Sequence, residues 1–382
     1  MKRIVISVLA LIFGISFCMA QIARDAAEEQ RRRDAQKQQV ADEHKRYEAQ
    51  KKLATPQQTP TPQPQSAPTP QPTVTQQPTV TQQPQQPVIE QPPAELTTQV
   101  TSEGTILRGG TLAGKFDWLQ RRVESHNTYI VEVNADENIA PRTLEYKGAI
   151  NVTIILKGDG RNRTIRLSSH GTMFTVNANV TFVLDNNITL QGHNGNTGSM
   201  VQVNGGAFKM NNGATITGNS AVGVHVNNGT FEMTGGTISG NRGNNGGGVH
   251  VSNGHTFTMT SGIISGNTAN NGGGVFVNGS GFGGTGTFTM LGGTITGNSA
   301  AKNGGGVFVH SYGNFAKTGG TITGYNSDQS NGNVVKDTEG VIARSGHAIW
   351  VVNTMAKPVR RKETTAGANV NLNTGAPDNW DE

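Results

Sequence analysis

Seven residues occupy the middle of a recurring apolar triplet: Thr175, Gln202, His225, His250, Phe276, Phe308 and Trp350. A triplet of the V-x-V type alternates with period two, so its middle residue faces away from the two that flank it. Stacked in register, the seven should form one outward stripe, polar at one end and aromatic at the other. Sugars stack on exposed aromatic rings, which makes His225, His250, Phe276, Phe308 and Trp350 the candidate ligand-binding residues. His225 and His250 fall in consecutive triplets and should lie about 5 Å apart in stacked strands. Two imidazoles at that distance could share a metal ion. No acid or third histidine aligns with them, so the expectation is a stacked surface pair, without a metal or other cofactor.

Carboxylates are the second chemistry to look for. Cleaving a glycosidic bond by hydrolysis takes two of them. A lyase takes acidic calcium ligands and a base. Between Asp185 and Asp328 the only acid is Glu232, and the basic residues there are sparse: Lys209, Arg242, Lys302 and Lys317. Glu132, Asp136, Glu137 and Asp159 lie near the start of the repeats in turn-rich sequence and read as solvated turn residues. No catalytic residue is therefore expected. Asn219, Asn241, Asn267 and Asn298 each follow a T-I-S/T-G element. They should align from copy to copy as a ladder whose amides satisfy turn backbone groups.

The element that positions these residues is a repeat. Clear copies are GTFEMTGGTISGNRGNNGGGVHV (229–251), HTFTMTSGIISGNTANNGGGVFV (255–277) and GTFTMLGGTITGNSAAKNGGGVFV (286–309), with degenerate copies on both sides. Aligned on the first residue of the triplet, the anchors are Val131, Phe174, Val201, Val224, Val249, Val275, Val307 and Ile349. Each copy holds three alternating segments, F-x-M, T-I-T/S and V-x-V, separated by Gly and Asn, which tolerate sharp turns. Three short strands and three turns make one rung of a three-faced coil, and rungs stack about 4.8 Å apart. The expected fold is all-β, a single right-handed parallel β-helix of about eight rungs over 129–353. Phe182, Phe208, Phe231, Phe257 and Phe288 should form one inward column, and Ile216, Ile238, Ile264, Ile295 and Ile322 another. The longer step from Val275 to Val307 should place 278–286 in a surface loop. Leu112, Phe116, Leu119 and Val123 have helical spacing, so 95–128 should cap the N-terminal end with an amphipathic helix. Val370-Asn371-Leu372 reads as a last imperfect strand within a C-terminal cap or tail, 354–382.

The rest of the chain is of other materials. Lys2 and Arg3, an apolar run from Ile4 to Phe17 and the small residues near Ala20 read as a secretory signal peptide, 1–20. Residues 21–54 are charged, with acid-before-base pairs such as Glu28/Arg32 that favour a solvated helix or coiled coil. Residues 55–94 hold 12 of the 15 prolines and read as a disordered, extended tether. One cysteine excludes a disulfide framework. A net charge of +5, scattered along 382 residues, does not make a nucleic-acid surface. No later segment is apolar enough for a transmembrane helix.

The GGTISGN and GGGVxV elements resemble the right-handed parallel β-helix repeats of bacterial surface proteins, in particular the passengers of polymorphic outer-membrane proteins and autotransporter adhesins, which carry a GG-[A/T]-I motif. The resemblance covers about 129–353. The F-x-x-N motif of the polymorphic proteins is replaced here by F-x-M, and the sequence ending at Glu382 leaves no room for a translocator barrel. What the resemblance implies is the fold; with the signal segment and the scarcity of acids, the expectation is an exported, non-enzymatic protein of the periplasm, the outer-membrane surface or the medium, acting in adhesion or in contact with a glycan or envelope partner. Two alternatives stand beside it: a polysaccharide-degrading lyase or glycosidase of the pectate-lyase-like kind, and a purely structural envelope component.

Overall fold

The structure, a computed structural model, describes residues 95–280, 284–343 and 346–352, and the backbone of 369–372. The signal segment, the charged segment, the proline-rich tract and most of the C-terminal tail lie outside the described residues. Two extended segments open the described chain, β1 (Thr97–Thr101) and β2 (Gly104–Arg108), paired antiparallel. β2 then pairs in parallel with β3 (Thr128–Val133), so the parallel ladder starts inside the segment read as the cap. From there the chain coils as a parallel β-solenoid of about eight turns.

The T-I-T segments form an eight-stranded parallel sheet, one strand per turn. The F-x-M and V-x-V segments build a second, seventeen-stranded sheet. They merge because in two turns the chain runs extended through the corner, as Val201–Met210 and Val224–Met233. A third, three-stranded sheet of Thr268–Asn271, Ser299–Asn303 and Val334–Val335 has no counterpart in the three-segment reading. Around the 278–286 insertion, Gly279–Ser280 pairs antiparallel with Gly284–Thr285.

Val131 marks a correction to the repeat alignment. It pairs with Leu156 and so belongs to the F-x-M ladder. The strand that precedes Phe174 in the V-x-V ladder is Arg142–Leu144. Both segments alternate with period two, and alternation fixes which residues share a face without saying which face it is.

The core is a set of columns. Phe182, Phe208, Phe231, Phe257, Phe288 and Phe315 are in register from turn to turn and fully buried. Phe174 and Phe116 extend the stack toward the N-terminal end, with ring centroids 5.0 and 5.5 Å apart at the two added steps. Ile216, Ile238, Ile264, Ile295 and Ile322 form the expected second column. Each buried side chain of this size contributes about 1.5–3 kcal/mol. Gly236, Gly262, Gly293 and Gly320 stand just before the T-I strands at φ of 81°, 97°, 87° and 78°. A Cβ at Gly236 would lie 2.6 Å from the carbonyl oxygen of Ala214 in the previous turn. The glycine of the GG-T-I element is thus required twice, for its backbone angle and for the close approach of turns.

The asparagine ladder forms as expected and is longer. Asn219, Asn241, Asn267 and Asn298 are buried, and Asn196 and Asn333 continue it at the two ends. Asn267 Nδ2 donates to Asn298 Oδ1 at 3.0 Å and to the Ile238 carbonyl at 2.9 Å, while its Oδ1 accepts from Asn241 N and Nδ2. Each inner amide of the ladder therefore bonds to turn backbone and links two neighbours.

The N-terminal end is covered by α1 (Leu112–Arg122), shorter by a few residues than its apolar spacing suggested because Val123 turns extended. Leu112, Phe116 and Leu119 are buried against the first turn. Thr111 caps the helix by accepting from Gly114 N at 3.1 Å, and the Glu137 carboxylate accepts from Leu112 N at 3.0 and 2.8 Å. Lys115 is buried, donates to the Glu132 carbonyl at 2.6 Å, and has its pKa lowered by that burial. No helix among the described residues is long and apolar enough to cross a membrane.

Candidate functional site

The strand register brings the stripe together. Thr175, Gln202, His225, His250, Phe276, Phe308 and Trp350 are successive partners along the V-x-V ladder. The expectation of an exposed aromatic end needs correction. Phe276 and Phe308 are each 4% exposed. Their rings stack 5.2 Å apart, and the His310 ring from the following corner lies 6.3 and 6.2 Å from them. Trp350, His250 and His225 are half-buried. An outward direction in a strand does not guarantee exposure when large side chains occupy the same column and a corner residue folds over them.

The two imidazoles stack at 4.7 Å, close to the expected spacing. His225 Nε2 lies 3.0 Å from Ser252 Oγ. His250 Nε2 is buried without a hydrogen-bond partner. Burial, and secondarily the neighbouring His225, pushes the His250 pKa down to about 3. Burial, then His255, lowers that of His225. Both imidazoles are thereby favoured in the neutral form. Among the described residues no group of three or more His, Cys, Asp or Glu is placed to hold a metal ion.

The carboxylates are likewise engaged. Glu232 pairs with Lys209 of the previous turn at 2.9 Å. Glu132 faces Arg108 at 3.2 Å, Asp136 faces Arg166 at 3.6 Å, and Asp159 faces Arg163 at 2.7 Å. The acids near the start of the repeats, read from sequence as solvated turn residues, thus pair with cations or cap α1.

A second row was not anticipated. It runs along the outer corner between the V-x-V and F-x-M faces. Asn177 Nδ2 donates to Glu145 Oε2 at 2.9 Å, Asn204 Nδ2 to Asn177 Oδ1 at 3.2 Å, and Asn227 Nδ2 to Asn204 Oδ1 at 3.3 Å. Glu145, Asn204 and Asn227 are exposed and Asn177 is half-buried. Beside the row is a groove of about 470 Å³ lined by Glu145, Lys147, Ile150, Asn177, Ala178 and Asn204, among others. Tyr146 also lines it; this residue is 7% exposed, its hydroxyl has no partner, and burial raises its pKa. The sequence signal for the row was an asparagine directly after each of three V-x-V-type triplets, at positions 177, 204 and 227. No family model, no curated protein and no solved structure matches this chain.

Proposed function

We propose that this chain is an exported, non-enzymatic recognition solenoid that contacts glycan at a cell surface or envelope. The observation that carries the reading is the chemistry of the outer corner: a hydrogen-bonded row of amides ending on one carboxylate, set beside a groove. Amides and carboxylates supply the paired donors and acceptors that sugar hydroxyls need. The likeness of the GG-T-I and GGGV elements to right-handed surface-exposed passengers supports the exported location, as does the signal-like N-terminus. The carboxylate arrangement argues against cleavage, because Glu232, the lone acid of the central turns, is already paired with Lys209. The test is to incubate the full chain with envelope polysaccharides and assay both retention and cleavage. Retention without release of reducing ends or unsaturated uronates is the expected result. Release of either product would replace this reading with the enzymatic one. Protease treatment of intact cells, followed by fractionation, tests the location.

A further inference from the structure

We propose that the groove formed by Glu145–Ile150 and the corners at Asn177–Asn179 and Asn204 is a subsite for a neutral oligosaccharide lying along the amide row, an inference that rests on the glycan-recognition reading. The groove spans three successive turns, and its volume of about 470 Å³ is within the range of small-ligand sites. Turns repeat about every 4.8 Å, comparable to the advance of one sugar along an extended chain, so each turn can address one residue of the ligand.

The hydrogen-bond count leaves room for it. An asparagine amide has two N–H donors and an oxygen with two lone pairs. In the row, Asn177 and Asn204 each commit one donor to the preceding side chain and one lone pair to the following one. Each retains a donor and an acceptor, the combination that a pair of sugar hydroxyls meets. All three bonds point the same way and end on the Glu145 carboxylate, which fixes the O/N orientation of every amide and polarises the row.

The remaining walls set the class of sugar. Ile150 is 46% exposed, and Ala178 is exposed beside it. Together they offer an apolar face for the C–H side of a pyranose. Lys147 balances Glu145, so the lining has no formal net charge. A polyuronate or a phosphorylated glycan would have to desolvate its charge against a lining that offers no net compensating charge, while a neutral hexose or N-acetylhexosamine chain meets no such penalty.

The experiment is calorimetric titration of the full chain with cellotetraose, chitotetraose and mannotetraose, with tetragalacturonate as the acidic probe. Two variants address the groove. Ala178→Arg fills it from an exposed position, and Asn204→Asp removes the donor from the middle of the row. Matching thermal melts with the unaltered chain establish that both fold. At least one neutral tetrasaccharide should bind, with affinity reduced tenfold or more by Ala178→Arg and about fivefold by Asn204→Asp. Binding of a neutral probe that neither variant weakens overturns the groove and leaves glycan recognition standing elsewhere on the solenoid. Binding of tetragalacturonate alone, lost in Ala178→Arg, overturns the neutral class. Failure of the unaltered chain to bind any of these probes, while it is retained on whole envelope polysaccharide, overturns the subsite; failure to bind either overturns the parent reading too.

Discussion

Two ring columns run along this solenoid, one inside and one on the outer side of a sheet. The inner one is tilted at its N-terminal end, where Phe116, Phe174 and Phe182 meet at 47° and 45°, and becomes a regular stack from Phe208 to Phe315. Phe231 and Phe257 stack at 4.7 Å with planes 7° apart, and Phe257 and Phe288 at 4.6 Å with planes 5° apart. The outer one changes identity at two of its four steps, from His250 to Phe276 and from Phe308 to Trp350. His225 and His250 stack at 21°, His250 meets Phe276 edge-on at 81°, and Phe276 and Phe308 return to 11°. The inner column must fill a space of constant width, so one side chain repeated is the best solution. The outer column is under no such constraint, yet two of its members are as secluded as core residues. Direction relative to the sheet and exclusion from water are therefore separate properties here, and only the first is set by the alternation of the strand.

The comparison can be broken most severely from the inside. Ile238→Asp places an unpaired charge in the isoleucine column and should cost at least about 4 kcal/mol, enough to prevent folding. Circular dichroism and yield of soluble protein check it. Phe257→Ala should cost about 3–5 kcal/mol in denaturant unfolding, since the ring is fully buried between two others. Phe276→Ala sharpens the contrast. As a secluded residue it should cost about 2–4 kcal/mol, whereas a solvated ring would cost less than about 1 kcal/mol. A value near the lower figure would restore the exposed stripe.

The histidines give a pH dependence with a definite sign. Burial favours neutral His250 in the folded chain, with a pKa near 3 against 6.5 for the ordinary side chain. The unfolded chain binds the proton first, so stability is fully present above about pH 6.5 and falls as pH drops toward 3. His250→Phe should flatten the denaturation midpoint over that window. A midpoint with the same slope in the variant assigns the acid sensitivity to another group. The smallest effect is expected at Glu232→Gln. Lys209 and Glu232 are nearly half exposed, and such pairs contribute about 0–1 kcal/mol.

The repeat, the inward columns and the asparagine ladder were legible because each is a periodic signal carried by one residue type at one offset. Where identity drifted, legibility failed. Asn196 and Asn333 continue the ladder without a preceding T-I-S/T-G element, and Arg142–Leu144 has no V-x-V spelling although it pairs as one. The stripe's membership could be read from spacing. Its seclusion could not, because that depends on the sizes of neighbours in adjacent turns and on His310 at a corner. The row from Glu145 to Asn227 was not legible because its asparagines follow the triplets in sequence rich in Gly and Asn, where asparagine is common for backbone reasons alone, although the structure places all three in extended strands.

The buried asparagines hold a further consequence. Every turn from Asn196 to Asn333 presents the same amide to the turn before and the turn after, at the same corner and depth. A whole turn could be removed or duplicated by recombination between neighbouring copies, and the junction would still find an amide waiting on each side. The solenoid can therefore lengthen or shorten in steps of one turn, each step adding or removing one repeat's share of the stability.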